Sequence, residues 1–253
     1  KYHGWVYKLD GELKNARGFD ESILKKDNFG MVEVGVCEWM GQVFVNLSKN
    51  SNDIGSRLNK IKDLIAPLDV TQYKFVFRES YEIACNWKVY MDNFLEGFHI
   101  PFVHPKLNQV IDYKQYKTEL FKYFSLQWCP LENDLSPYGS VKSANENKAY
   151  YFTIFPNIIL NIAPGRLQTN IVEPTTSRSC VVHFDYHFEN SETSNIEKDA
   201  EFSELVQRED IQICESVQKG LESQGYDVGR LSPENETGVY HFQSMIRNIL
   251  SNG

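Results

Sequence analysis

Cysteine is sparse and scattered. The chain has five, Cys37, Cys85, Cys129, Cys180 and Cys214, in 253 residues, with no C-x-x-C pair. An odd count without paired spacing supports neither a disulfide framework nor an all-cysteine metal site, and makes a reducing compartment, the cytoplasm, the expected location. Runs of basic residues are also missing. With 26 Lys+Arg against 34 Asp+Glu and a net charge of -8, the chain lacks the positive footprint that a phosphate backbone demands, which excludes nucleic acid as an expected partner. No apolar run is long enough for a bilayer. The longest uncharged stretch, Ala149 to Gly165, is interrupted by Pro156, Asn157, Asn161 and Pro164 and reads as buried strands, since a spanning helix needs about 20 residues. The start, K-Y-H-G-W, has no initiator Met, basic region or apolar signal core, and reads as the interior of a domain, so we expect a fragment of a longer chain.

What is present is an ordinary globular composition, 42% hydrophobic, 24% charged and 13% aromatic, enough for one large domain or two smaller ones. From Tyr2 to Ser48, short apolar runs alternate with turn residues; Leu9-Asp10-Gly11 signals a hairpin and Val43-Phe44-Val45 a compact strand core. Residues 49–56 form a polar connector, placing a domain boundary near residue 50, with domains 1–50 and 51–253. Leu58, Ile61, Leu64 and Ile65 have helical spacing that stops before Pro67. Residues 73–84 alternate as a strand, and 86–99 switch to helical period, closed by Pro101. Segments 150–162 and 179–188 are rich in strand formers, while 196–222 and 234–250 look helical. These elements predict an α+β fold with helices over one face of an antiparallel sheet.

The chemistry concentrates in N-W-K-V-Y-M-D-N-F-L-E-G-F-H-I-P-F-V-H-P, residues 86–105. At 100° per residue Asp92, Glu96 and His99 share a narrow stripe of one helix face, flanked by Val89 and Leu95. Apolar residues on both sides imply that the stripe is buried, and buried ionic groups need a metal or mutual hydrogen bonds. His104 follows His99 across Pro101, which lets the two imidazoles converge. Two histidines and a remote carboxylate would form the facial triad of non-heme iron oxygenases, although H-x4-H alone equally describes two packed core histidines. Asp210 is the candidate carboxylate, because it lies inside the stripe Phe202, Val206, Ile213, Val217 and Leu221, with Glu209 towards the margin; a buried ion pair is the alternative use of such an acid. His183, Asp185 and His187 also share one strand face, but read as the polar outer side of a half-buried strand.

Taken together, these motifs resemble the α subunit of Rieske non-heme iron oxygenases, the ring-hydroxylating family. The segment N-W-K-x4-D-N-x2-E-x2-H-x4-H-P resembles its mononuclear iron signature, and Y-H-G-W-V-Y-K-L-D-G-E-L the second half of a Rieske domain. The stretch E-D-I-Q-I-C-E-S-V-Q-K-G-L-E-S-Q-G-Y-D-V-G-R-L-S is similar to the choline, betaine and carnitine monooxygenase branch. The resemblance implies a helix-grip (START-like) catalytic domain with an antiparallel sheet and a long C-terminal helix, preceded by the C-terminal remnant of an all-β Rieske domain. It implies His99, His104 and Asp210 as iron ligands, and Glu96, with Asp92 beside it in the motif, as catalytic acids. Glu96 would be the bridge to a cluster histidine of the neighbouring subunit. His3 would be the last ligand of a [2Fe-2S] cluster, whose other ligands are absent from the sequence; His3 alone cannot assemble it.

The implied chemistry uses O2 and electrons from NAD(P)H, delivered by a separate reductase and in some members a ferredoxin, to hydroxylate a small substrate in a homotrimer. An N-methylated or quaternary amine is the expected substrate, held by aromatic faces. Three alternatives remain: an aromatic-ring dioxygenase, a metal-free helix-grip domain binding an apolar ligand, and a zinc hydrolase with Glu96 as base.

Overall fold

The structure, a computed structural model, describes residues 2–20, 22–47, 54–132, 147–189 and 193–252, with the backbone alone given for 193–195 and 252. Most of the connector expected at 49–56, and the boundary near residue 50, lie outside the described residues. The chain divides into two compact units, Lys1–Asn59 and Lys60–Gly253. No helix among the described residues is long and apolar enough to cross a membrane.

The first unit contains two antiparallel hairpins, β1 (Val6–Tyr7) with β2 (Leu13–Asn15) and β3 (Gly35–Trp39) with β4 (Gln42–Asn46). At the first turn the Asp10 carboxylate accepts from the Glu12 amide, and Gly11, at φ 87°, takes a left-handed conformation that would strain other residues. Leu13, Ala16 and Leu24 form a small core with Trp5 and Tyr7 packed on it. The strand expected around Val43-Phe44-Val45 is present, but Val43 and Val45 are exposed, so the segment is not core. Side-chain period identifies a strand, not what lies against it.

A twelve-residue helix, α1 (Ile54–Ile65), carries the Leu58, Ile61, Ile65 spacing, and all three are buried. The second unit is built on a seven-stranded antiparallel sheet. Its strands are β5 (Lys74–Ile83), β6 (Lys117–Leu120), β7 (Phe124–Pro130), β8 (Lys148–Ile154), β9 (Ile158–Ala163), β10 (Arg166–Thr176) and β11 (Ser179–Phe188), in the spatial order β5-β11-β10-β9-β8-β7-β6. In β11 the alternation is complete: Cys180, Val182, Phe184, Tyr186 and Phe188 are buried. They pack with residues of helices α2 (Trp87–Phe94), α5 (Thr193–Leu221) and α6 (Thr237–Asn252). The expected α+β class, with an antiparallel sheet and a long C-terminal helix, is therefore the observed one. Asp185 and His183 have polar partners, Arg78 clasping Asp185 at 2.5 and 2.6 Å and Ser80 meeting His183 at 2.8 Å, while the His187 ring lies edge-on to Phe75 at 5.6 Å.

Two expectations about helices are corrected. The segment 86–99 is not one helix: α2 starts at the Asn86 cap, whose side chain accepts from the Lys88 amide, and stops at Phe94 with Leu95 as C-cap. Gly97 then passes so close to the Tyr116 ring that a Cβ would lie 2.6 Å from it. Pro101 sits in the first turn of a short helix, α3 (Ile100–Val103), where its missing amide is harmless; α4 (Leu107–Val110) follows. On α5 the expected stripe holds in part: Phe202, Val206 and Ile213 pack against buried cores, whereas Val217 and Leu221 are exposed, each 43%, and the fully buried line is Asp199, Ser203, Gln207 and Cys214. Asp210 therefore lies where a largely polar seam meets the apolar stripe.

Candidate metal centre

The break after α2 decides the geometry. Asp92, on the helix itself, turns to α6, where its Oδ2 accepts from Gln243 Nε2 at 2.8 Å; it does not line the cavity that Glu96, His99, His104 and Asp210 share. The expected stripe of Asp92, Glu96 and His99 is thus split, because Glu96 and His99 lie beyond the helix end. Burial pushes Asp92 up to about 6, against the Gln243 hydrogen bond and the Lys88 charge, which pull it down. Its proton is held more tightly folded than unfolded, where the pKa is about 3.9, so Asp92 costs stability as pH rises through that window and the whole cost is present above about 6. We predict that Asp92→Asn is close to neutral at pH 4 and stabilises by about 1 to 2 kcal/mol at pH 7, the two-unit shift setting an upper bound near 3 kcal/mol. Urea denaturation of both proteins across that range checks it; parallel pH profiles would refute the assignment.

Glu96 closes on His99 twice, through the His99 backbone amide at 3.0 Å and through Nδ1 at 2.5 Å. His104, at the C-terminal end of α3, is buried to 1% exposure, with its backbone amide bonded to Ile100. Its Nδ1 lies 2.7 Å from Glu209 Oε2 and its Nε2 3.1 Å from Asp210 Oδ1. The two Nε2 atoms are 3.2 Å apart, and His99 Nε2 is 3.8 Å from the same Asp210 oxygen. Asn93, on the last turn of α2, donates to that oxygen at 2.6 Å and orients it. Among the described residues, His99, His104 and Asp210 are the group of three whose ligand atoms could hold a metal ion.

The donor set fits a cation. Each Nδ1 faces a carboxylate that can accept its proton, and in that tautomer both Nε2 atoms are lone pairs aimed at each other and at a carboxylate oxygen. Three electron-rich atoms at this spacing repel unless a proton or a metal stands among them. Donors about 2.1 Å from one ion sit about 3 Å apart at a right angle and about 4.2 Å apart across it, so 3.1 and 3.2 Å are the separations of neighbouring positions, and 3.8 Å falls between the two limits. Although burial pulls His104 down, hydrogen bonds and charge from Asp210 and Glu209 outweigh it and hold the imidazole above its ordinary value. Two imidazoles and one carboxylate with open positions are the donors of non-heme Fe(II) sites.

The cavity beside these donors is lined by the aromatic rings of Tyr90, Phe94, Tyr116, Tyr151, Phe184 and Phe202. Sheet residues add Gln127, Asn161 and the buried Arg166, paired with Asp199 of α5 at 2.6 Å. Sequence reasoning missed Glu209, Asn93 and this ion pair as contributors. Only the E-D adjacency at 209–210 and the D-N pair at 92–93 hinted at the first two. His3, in the first unit, is exposed, its ring edge-on to Tyr2 at 4.1 Å.

The chain is 32% identical to the chloroplastic choline monooxygenase of Arabidopsis thaliana over 98% of its own length and 62% of the relative's. It is 30% identical to the carnitine monooxygenase oxygenase subunit of Acinetobacter pittii, over 97% of this chain and 70% of that one. Against plant relatives it thus spans about three fifths of their length. A solved quaternary ammonium Rieske monooxygenase superposes with a TM-score of 0.82 at 26% identity, covering 98% of this chain and 70% of the other. Residues 70–252 match the model of the ring hydroxylating alpha subunit, catalytic domain, and the chain belongs to that family.

Proposed function

We propose that this chain is the catalytic portion of a Rieske-type oxygenase that hydroxylates a quaternary or N-methylated amine, with Fe(II) held by His99, His104 and Asp210. The observation carrying the proposal is the convergence of two imidazole Nε2 atoms and one carboxylate oxygen at the wall of a cavity lined by aromatic rings. Fe(II) held by these three side chains would supply the O2-activating chemistry that hydroxylation of a substrate C–H bond requires, with electrons delivered from outside the site. Glu96 keeps the His99 ring in the ligating tautomer, and Asn93 steadies the third ligand. The aromatic rings hold a cationic head by their negative faces, each close contact contributing about 0.5 to 2 kcal/mol. If the hydroxylated carbon is an N-methyl, the hemiaminal collapses to amine and formaldehyde.

We assign Glu96, 13% exposed, as the acid through which electrons reach His99 from the neighbouring subunit of a homotrimer, supplied by a reductase oxidising NAD(P)H. This chain's own residues account for an iron site and not for a Rieske cluster: His3 is one of four ligands such a cluster needs. Anaerobic Fe(II) loading tests the proposal. We expect about one iron per chain for the wild type, and affinity lowered by well over tenfold in His99→Ala and Asp210→Ala. Equal metal content in all three proteins would support the metal-free ligand-binding alternative instead.

A further inference from the structure

One ring of the site is held by two consecutive residues of one helix. His104 meets Glu209 at Nδ1, 2.7 Å, and Asp210 at Nε2, 3.1 Å, so residues 209 and 210 of α5 grip both nitrogens of the same imidazole. Neighbouring positions on a helix diverge by about 100°, and a ring can bridge them only if its edge lies across the helix surface. The ring is almost wholly buried, its side chain 2% exposed, whereas the Glu209 side chain is 24% exposed. The arrangement parallels that at His99, whose Nδ1 lies 2.5 Å from Glu96. The two carboxylates differ in origin. Glu96 precedes its histidine by three residues, whereas Glu209 comes from the helix that carries the third ligand.

We propose that Glu209 is a positioning residue for the metal site: its carboxylate fixes His104 as the Nδ1–H tautomer, sets the ring plane, and so presents Nε2 to the metal as a lone pair. Without that acceptor a neutral imidazole is free to carry its proton on Nε2, where it blocks ligation, and the buried Nδ1 side loses its partner. The inference rests on the metal reading above. It predicts a division of labour in which loss of Glu209 is felt in metal affinity, through ring orientation, before any catalytic step.

Glu209→Ala and Glu209→Gln, titrated anaerobically with Co(II) and Fe(II) alone, test it. Glu209→Ala is expected to weaken both metals by about 10- to 100-fold. The glutamine variant keeps a neutral acceptor for Nδ1–H and is expected to recover most of that loss. Long-range proton–nitrogen NMR on the Zn(II)-loaded wild type should show His104 protonated at Nδ1. Metal binding by Glu209→Ala within twofold of wild type, or an Nε2-protonated His104 in the wild type, would overturn the assignment. A loss in Glu209→Ala that the glutamine variant does not recover would also count against tautomer control. Failure of the wild type to bind either metal would instead remove the metal reading and this inference together.

Discussion

Replacing Glu96 by glutamine in the complete protein is expected to leave the iron in place while lowering NAD(P)H-driven turnover by at least about a hundredfold, equivalent to about 2.7 kcal/mol of barrier. The two halves of that expectation have separate causes. Glutamine's carbonyl can still accept from His99 Nδ1–H, now at 2.5 Å from a carboxylate oxygen, so the ligating tautomer survives and metal affinity changes little. What glutamine cannot do is accept twice. A carboxylate between two imidazole N–H groups accepts from both, whereas an amide turns a donor towards the second and opposes it. The readout is a comparison of iron content with steady-state oxygen uptake and product formation. Full iron with unimpaired turnover would refute the bridging role; loss of iron would move Glu96 into the same class as Glu209.

How far the sequence spoke depended on whether a residue's role was set by its neighbours along the chain. Strand β11 was legible because period two is a local property, and the alternate positions Cys180, Val182, Phe184, Tyr186 and Phe188 are all buried. Helical period through 86–99 was misleading for the opposite reason. The apolar and acidic spacing continues past Phe94, but the chain leaves the helix at Leu95 and Gly97 runs beneath the ring of Tyr116, nineteen positions downstream of that glycine. His99 and His104 still meet, because the turn through Gly97 and the short helix at Pro101 bring their Nε2 atoms to 3.2 Å.

The polar seam of α5 left no trace in hydropathy for a related reason. Asp199, Ser203 and Gln207 look like solvent-facing residues until Arg166, Gln168, Tyr186 and Tyr90 arrive from the sheet and α2 to bond them. Motif residues could be found by resemblance because their chemistry constrains type and spacing. Supporting residues such as Glu209 and Asn93 are constrained by three-dimensional reach alone. The exposed Val43 and Val45 show the converse case, in which local pattern gives the strand correctly but cannot say which face is covered.

The ion pair beneath the cavity carries the largest stability effect we expect. Arg166 Nε and Asp199 Oδ2 are 2.6 Å apart with side chains 6% and 3% exposed, and Arg166 Nη2 also donates to Gln168 Oε1 at 2.7 Å. Burial pushes the Asp199 carboxyl up, and Arg166 pulls against it, so each charge is tolerated chiefly because the other is there. Asp199→Ala leaves a guanidinium in a site with little water, and is expected to cost about 3 to 5 kcal/mol in urea denaturation at pH 7. Arg166→Met should cost a similar amount by stranding the carboxylate. Removing both charges is a different experiment: Arg166→Met with Asp199→Leu keeps apolar volume and leaves no unpaired ion, so the double variant should be more stable than either single one, with a coupling energy of about 2 kcal/mol or more. Single variants within about 1 kcal/mol of wild type would show that water reaches the pair. The cavity adds a second readout, since Arg166 lines it: a double variant that regains stability but not substrate affinity would separate the pair's structural contribution from its part in shaping the wall.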